Sequence, residues 1–91
     1  MRRKQVHVFI SGTVQGVSFR AFTQREAHKY GVHGWVRNVE DGRVEAVFSG
    51  TEDAVDRLVI WCQRGPLSAQ VSGIELQPMG LEAFFGFDVR H

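Results

Sequence analysis

Hydrophobic residues in this chain change their period across one short glycine-flanked segment, and that change constrains the fold more than any other feature. Val6, Val8 and Ile10 alternate with Gln5, His7 and Phe9, a repeat of two that predicts a first strand. From Ser18 to Tyr30 the spacing becomes helical. Phe19, Phe22, Ala27 and Tyr30 fall near one face, with Ser18 as the expected N-cap and Gly31 as a left-handed stop. Residues 33–39 (HGWVRNV) predict a second strand, Asp41-Gly42 a two-residue hairpin, and Arg43 to Phe48 a third strand. Thr51 then opens a second helix, with Val55, Leu58, Val59 and Cys62 at i, i+3, i+4 and i+7, and Gly65-Pro66 ends it. Val71 to Leu76 predicts a fourth strand. Phe85, Phe87 and Val89, alternating with Gly86 and Asp88, predict a terminal one.

The order β-α-β-β-α-β, with one extra short strand at the C-terminus, specifies an α+β fold of the ferredoxin-like type, an antiparallel sheet with two helices on one face. In that arrangement strands 1 and 2 run parallel with strand 3 between them. Their C-terminal ends therefore emerge at one edge, which brings the 12–18 loop and Asn38 to the same rim. At 91 residues the chain is expected to form one domain, 1–91.

Composition excludes more than it identifies. The net charge is +1 with acids and bases interspersed, which gives no support for bulk attraction to nucleic acid or an anionic membrane. No apolar run approaches the ~20 residues of a membrane span. The lone Cys62 has no internal disulfide partner, and together with the lack of a signal-like apolar run it points to a cytoplasmic protein. A monomer is the expectation for a domain this small. His7, His28, His33 and His91 lack metal-ligand spacing and read as structural or solvent-exposed, so no metal or other cofactor is expected. Cys62 reads as a small core residue, and the carboxylates offer no paired acid–base geometry.

The chemistry concentrates in residues 12–20, GTVQGVSFR. A glycine-flanked turn running into a helix can aim several backbone N–H groups at one point, where the helix adds its positive end. Arg20 is out of place on helix electrostatics alone, because a first-turn cation opposes the macrodipole. It fits if an anion sits between loop and guanidinium. No Gly-Lys-Ser/Thr follows, so the Walker type of nucleotide site is not met.

GTVQGVSFR resembles the first signature of the acylphosphatase family, and Gly34-Trp35-Val36-Arg37-Asn38-Val39-Glu40-Asp41-Gly42 resembles the second. The likeness extends over nearly the whole chain, through Gly65-Pro66, Ala69, Val71 and Phe87. Thr13 stands where an arginine is frequent in the family, and Ser18 where glycine or a bulky residue is frequent. The resemblance implies that the backbone amides of Gln15, Gly16, Val17, Ser18 and Phe19, together with Arg20, bind the phosphate of a small acyl phosphate. It implies that Asn38 positions the attacking water. Two other functions share this topology: an RNA-recognition module, and a domain serving a larger carbamoyl-transfer machine. The first is disfavoured because strand 3 lacks a Lys/Arg-Gly-aromatic start and the Phe-rich stretch falls on the last strand. The second implies further domains that 91 residues do not supply.

Overall fold

The computed structural model describes residues 2–80 and 82–91. Five strands and two helices follow one another as β1 (Arg3–Thr13), α1 (Phe19–Tyr30), β2 (His33–Asn38), β3 (Val44–Thr51), α2 (Glu52–Cys62), β4 (Gln70–Pro78) and β5 (Phe87–Arg90). The sheet order is β4-β1-β3-β2-β5. β1 pairs antiparallel with β3 and β4, and β2 antiparallel with β3. The last strand departs from the expected antiparallel sheet. β5 pairs parallel with β2 through Gly34–Phe87 to Arg37–Arg90, so the sheet is mixed.

The period of two in β1 decides which face is covered. Val6, Val8 and Ile10 lie buried in one cluster with Val44, Ala46 and Phe48 of β3, Phe19 and Ala27 of α1, and Val55 and Leu58 of α2. Both helices therefore lie on the same side of the sheet. Each Val, Leu, Ile or Phe among them contributes about 1.5–3 kcal/mol on leaving water. α2 buries Val55, Leu58, Val59 and Cys62, as its spacing predicts. Burial pushes the Cys62 thiol well above its ordinary pKa, which leaves it an inert core residue.

α1 differs from its expected face. Phe19 and Ala27 are buried, but Thr23 and Glu26 complete the stripe while Phe22 and Tyr30 are half-exposed. Thr23 is tolerated inside because its Oγ1 donates to the Phe19 carbonyl at 2.8 Å. The hairpin differs as well. Gly42 N donates to Val39 O at 3.0 Å and Val39 N to Arg43 O at 2.8 Å, enclosing Glu40, Asp41 and Gly42 in a three-residue loop. Gly42 takes φ +98°, the left-handed residue that such a loop needs, so the two-residue turn expected from Asp-Gly alone gives way to a longer one. The terminal strand begins only at Phe87. Gly86 breaks the extended run with φ +82°, its N–H donating to His33 Nδ1, and Phe85 is left 90% exposed.

The sheet face opposite the helices carries a polar cluster that sequence reasoning passed over. Glu45, only 7% exposed, accepts from Arg37 Nε at 2.5 Å and meets His7 Nε2 at 2.5 Å. Burial opposes its ionisation, but the His7 and Arg37 bonds outweigh it and hold the carboxyl below its ordinary value. Arg43 covers the Phe9 ring at 4.4 Å, and Arg90 covers Trp35 at 4.6 Å.

Candidate functional site

Strand β1 ends irregularly, and the irregularity aims the loop. The β1–β4 register shifts between Ser11 and Gly12. A Cβ at position 12 would lie 2.1 Å from Gln70 O, so only glycine lets the two backbones approach at this bulge. Val14 then turns inward, 1% exposed, and pins the loop to the core. Gln15 fixes the loop sideways: its Nε2 donates to Val39 O at 2.7 Å and Arg43 O at 2.9 Å. The first motif is thereby clamped to the β2–β3 hairpin that carries the second.

Backbone conformation in the loop alternates. Gly16 has φ +75° and Ser18 φ +61°, with Val17 between them outside the positive region. Such alternation brings successive N–H groups to one side, the arrangement of an anion nest. Ser18 departs from its expected role. It occupies the N-cap position of α1, but its left-handed backbone gives no side-chain cap bond, and no acidic residue sits in the first turn. Among the described residues, the main-chain N–H groups of Gln15, Gly16, Val17, Ser18 and Phe19 donate to no protein acceptor. Free N–H groups at a helix start are the feature that attracts anions.

A cleft of about 400 Å³ opens here, lined by Gly16, Ser18, Phe19, Arg20, Asn38 and His91, with Val14, Ala21 and Val89 completing its wall. The structure thus brings Arg20 and Asn38, eighteen positions apart, into one site at the edge expected from the topology. Phe19 is 1% exposed, held by Trp61 at 5.6 Å, so it is a structural wall of the cleft. Gln15 and Val17 are set outside the lining. The Gln15 side chain is spent on the hairpin, and Val17 packs against the core. Arg20 is half-buried, and its Nη1 donates to Arg90 O at 2.8 Å and lies 3.3 Å from His91 Nδ1.

Among the described residues lining the cleft, Arg20 and His91 have the ionisable side chains, and no Asp or Glu side chain is present. The cleft therefore offers one fixed cation beside free N–H donors, a set suited to a doubly charged tetrahedral anion. His91 is exposed, as its isolated position in the sequence predicts. Its place beside the cleft is not legible in the sequence, because it depends on β5 lying parallel beside β2.

Comparison with known proteins agrees with this geometry. The sequence profile of the Acylphosphatase family matches residues 6–89. An acylphosphatase of Chloroflexus aurantiacus is 56% identical over 84 residues, covering 89% of this chain and 91% of that protein. One from Haloquadratum walsbyi is 52% identical over 88 residues, covering 97% and 95%. Among solved structures, an acylphosphatase from Coxiella burnetii superposes with a TM-score of 0.94 at 36% identity, covering 98% of this chain and 94% of that one. The acylphosphatase from Bacillus subtilis superposes with a TM-score of 0.92 at 36% identity, covering 96% and 98%. Motif spacing, sheet order and these likenesses over almost the full length converge, and the chain belongs to the acylphosphatase family.

Proposed function

We propose that this enzyme hydrolyses small acyl phosphates to a carboxylate and inorganic phosphate, the phosphate being held by the Gln15–Phe19 amides and Arg20 and the attacking water by Asn38. The observation that carries the residue roles is the run of five unsatisfied N–H groups from Gln15 to Phe19, of which Gly16, Ser18 and Phe19 line one cleft with Arg20 and Asn38 and with no Asp or Glu side chain among its described lining residues. Phosphoryl transfer asks a protein for positioning and for stabilisation of charge on the equatorial oxygens, which amides and a planar guanidinium supply. The Asn38 amide can accept from a water while donating to substrate. The water oxygen forms the new P–O bond, its proton passes to an oxygen of the phosphate product, the bond from phosphorus to the acyl oxygen breaks, and the carboxylate leaves with the electron pair. A carboxylate is already a good leaving group, so the reaction needs no metal, strong base or covalent intermediate.

In this reading the enzyme acts as a one-domain cytoplasmic monomer on a small-molecule substrate, with neither nucleic acid nor membrane as partner. No helix among the described residues is long and apolar enough to cross a membrane. The test is ultraviolet-monitored hydrolysis of benzoyl phosphate in EDTA. Sustained turnover with inorganic phosphate as a competitive inhibitor is expected. Activity abolished by EDTA, or phosphate that does not compete with substrate, would overturn it. Gel filtration at the volume of a dimer would overturn the monomer.

A further inference from the structure

We infer that the Gln15 side chain is a positioning residue for the hydrolytic step: it sets the distance between the phosphate nest and the Asn38 amide, and acts on turnover through Asn38. This rests on the assignment of Asn38 as the residue that holds the attacking water. Strand pairing does not hold the two motif segments side by side. The β1–β3 ladder ends at the pair Ile10 and Val44, and the β2–β3 ladder at Asn38 and Val44. Beyond the register shift at Ser11 and Gly12, β1 continues against β4 alone, pairing Gly12 with Val71 and Thr13 with Gln70. In the sheet order β4 lies on the side of β1 away from β3 and β2. The loop thus departs leaning away from the strand that carries Asn38.

Gln15 closes that gap with a side chain. A primary amide carries two N–H donors, and here both are used: Nε2 donates to Val39 O at 2.7 Å and to Arg43 O at 2.9 Å. These carbonyls stand at the neck of the β2–β3 turn, where Val39 N donates to Arg43 O at 2.8 Å. Val39 follows Asn38 directly, so the grip falls one residue from the amide that faces the cleft. Among the described residues, these two are the hydrogen bonds that join residues 12–19 to residues 38–44. The nest has anchors of its own on the other side. Val14 and Phe19 are each 1% exposed, and Ser68 Oγ donates to Val17 O at 3.4 Å. Losing the clamp should therefore leave the phosphate held while Asn38 drifts from its place beside phosphorus. A misplacement of about 1 Å can cost ~10² in rate.

The experiment follows benzoyl phosphate hydrolysis, with inorganic phosphate as competitive inhibitor, in Gln15→Met with and without Asn38→Ala. Met keeps the length of the side chain and removes both donors. Gln15→Met is expected to lower kcat roughly ten- to hundredfold while the phosphate Ki stays within about twofold of wild type. In the Asn38→Ala background it should lower kcat by less than about twofold more, because the amide it positions is already gone. Gln15→Asn keeps the amide but falls short of the two carbonyls, and should match Gln15→Met. Wild-type kcat in either Gln15 variant overturns the role. So does a Ki that rises in step with the fall in kcat, or an undiminished further loss in the Asn38→Ala background. A lowered melting temperature with kcat and Ki moving together in both Gln15 variants marks a merely structural clamp and overturns it as well. Asn38→Ala alone separates the two assignments. Wild-type turnover there removes the water-positioning reading and the role of Gln15 with it; lost turnover there, with wild-type kcat in Gln15→Met, removes the role of Gln15 alone.

Discussion

The two helices of this protein begin in opposite ways. At α2, Thr51 is extended, its Oγ1 accepts from Ala54 N at 3.2 Å, and Glu52 and Asp53 occupy the first turn. The helix dipole and its free N–H groups are answered from within. At α1, Ser18 is left-handed and its hydroxyl caps nothing, no acid occupies the first turn, and Arg20 stands there instead. One start is closed by its own side chains and the other is left open. The difference teaches that the unmet donors of α1 are a local feature of the motif loop, since the same chain caps its other helix in the ordinary way.

If the open start serves an anion, damage there should cost turnover and leave stability nearly intact, whereas damage elsewhere should do the reverse. The largest effect is expected from Arg20→Ala, which should lower kcat/KM by ~10²–10³ and abolish phosphate inhibition, measured by steady-state kinetics. Wild-type kinetics in that variant would break the contrast. Asn38→Ala should lower kcat by about 10² while inorganic phosphate still binds, because holding water is a transition-state task. Equal loss of phosphate affinity would instead make Asn38 a phosphate ligand.

Away from the open start, Glu45→Gln on β3 should cost about 1–2 kcal/mol at neutral pH, a value already discounted for the solvent around Arg37, and leave kcat unchanged. The sign of its pH dependence follows from the lowered carboxyl. Stability from Glu45 is fully present above the ordinary value of 4.5 and is lost as pH falls through the lower folded value. Urea unfolding between neutral and acidic pH should therefore show a shallower acid slope in Glu45→Gln. Thr51→Ala should cost about 1 kcal/mol in the same assay with activity untouched. The smallest change is Ser18→Gly, expected to gain from a few tenths up to about 1 kcal/mol by relieving the left-handed serine, net of the extra freedom of the unfolded glycine.

Much of the fold was legible because two periods do most of the specification. The alternation in residues 5–10 and the spacing of Val55, Leu58, Val59 and Cys62 each bury the side chains they predict. What escaped depends on partners distant in sequence. Thr23 is the local exception, its hydroxyl bonding the Phe19 carbonyl of its own helix so that a polar residue joins the buried α1 face with Glu26. Phe85 alternates correctly yet stays outside, because Gly86 turns the chain toward His33. The parallel pairing of β5 cannot be read from its four residues. Arg20 and Asn38 were legible as motif residues. The Gln15 side-chain clamp, the His7–Glu45–Arg37 cluster and His91 were not, since each is created by strand neighbours.

The central claim is that the donors from Gln15 to Phe19, with Arg20, capture a tetrahedral dianion, and titration of inorganic phosphate followed residue by residue in amide NMR spectra tests it most directly. The account predicts saturating shifts at Gln15, Gly16, Val17, Ser18 and Phe19 and at Arg20 Nε, with the dissociation constant found by inhibition, and no shift at Glu52 to Ala54. Unmoved resonances from 15 to 19, or equal shifts at the start of α2, would contradict it.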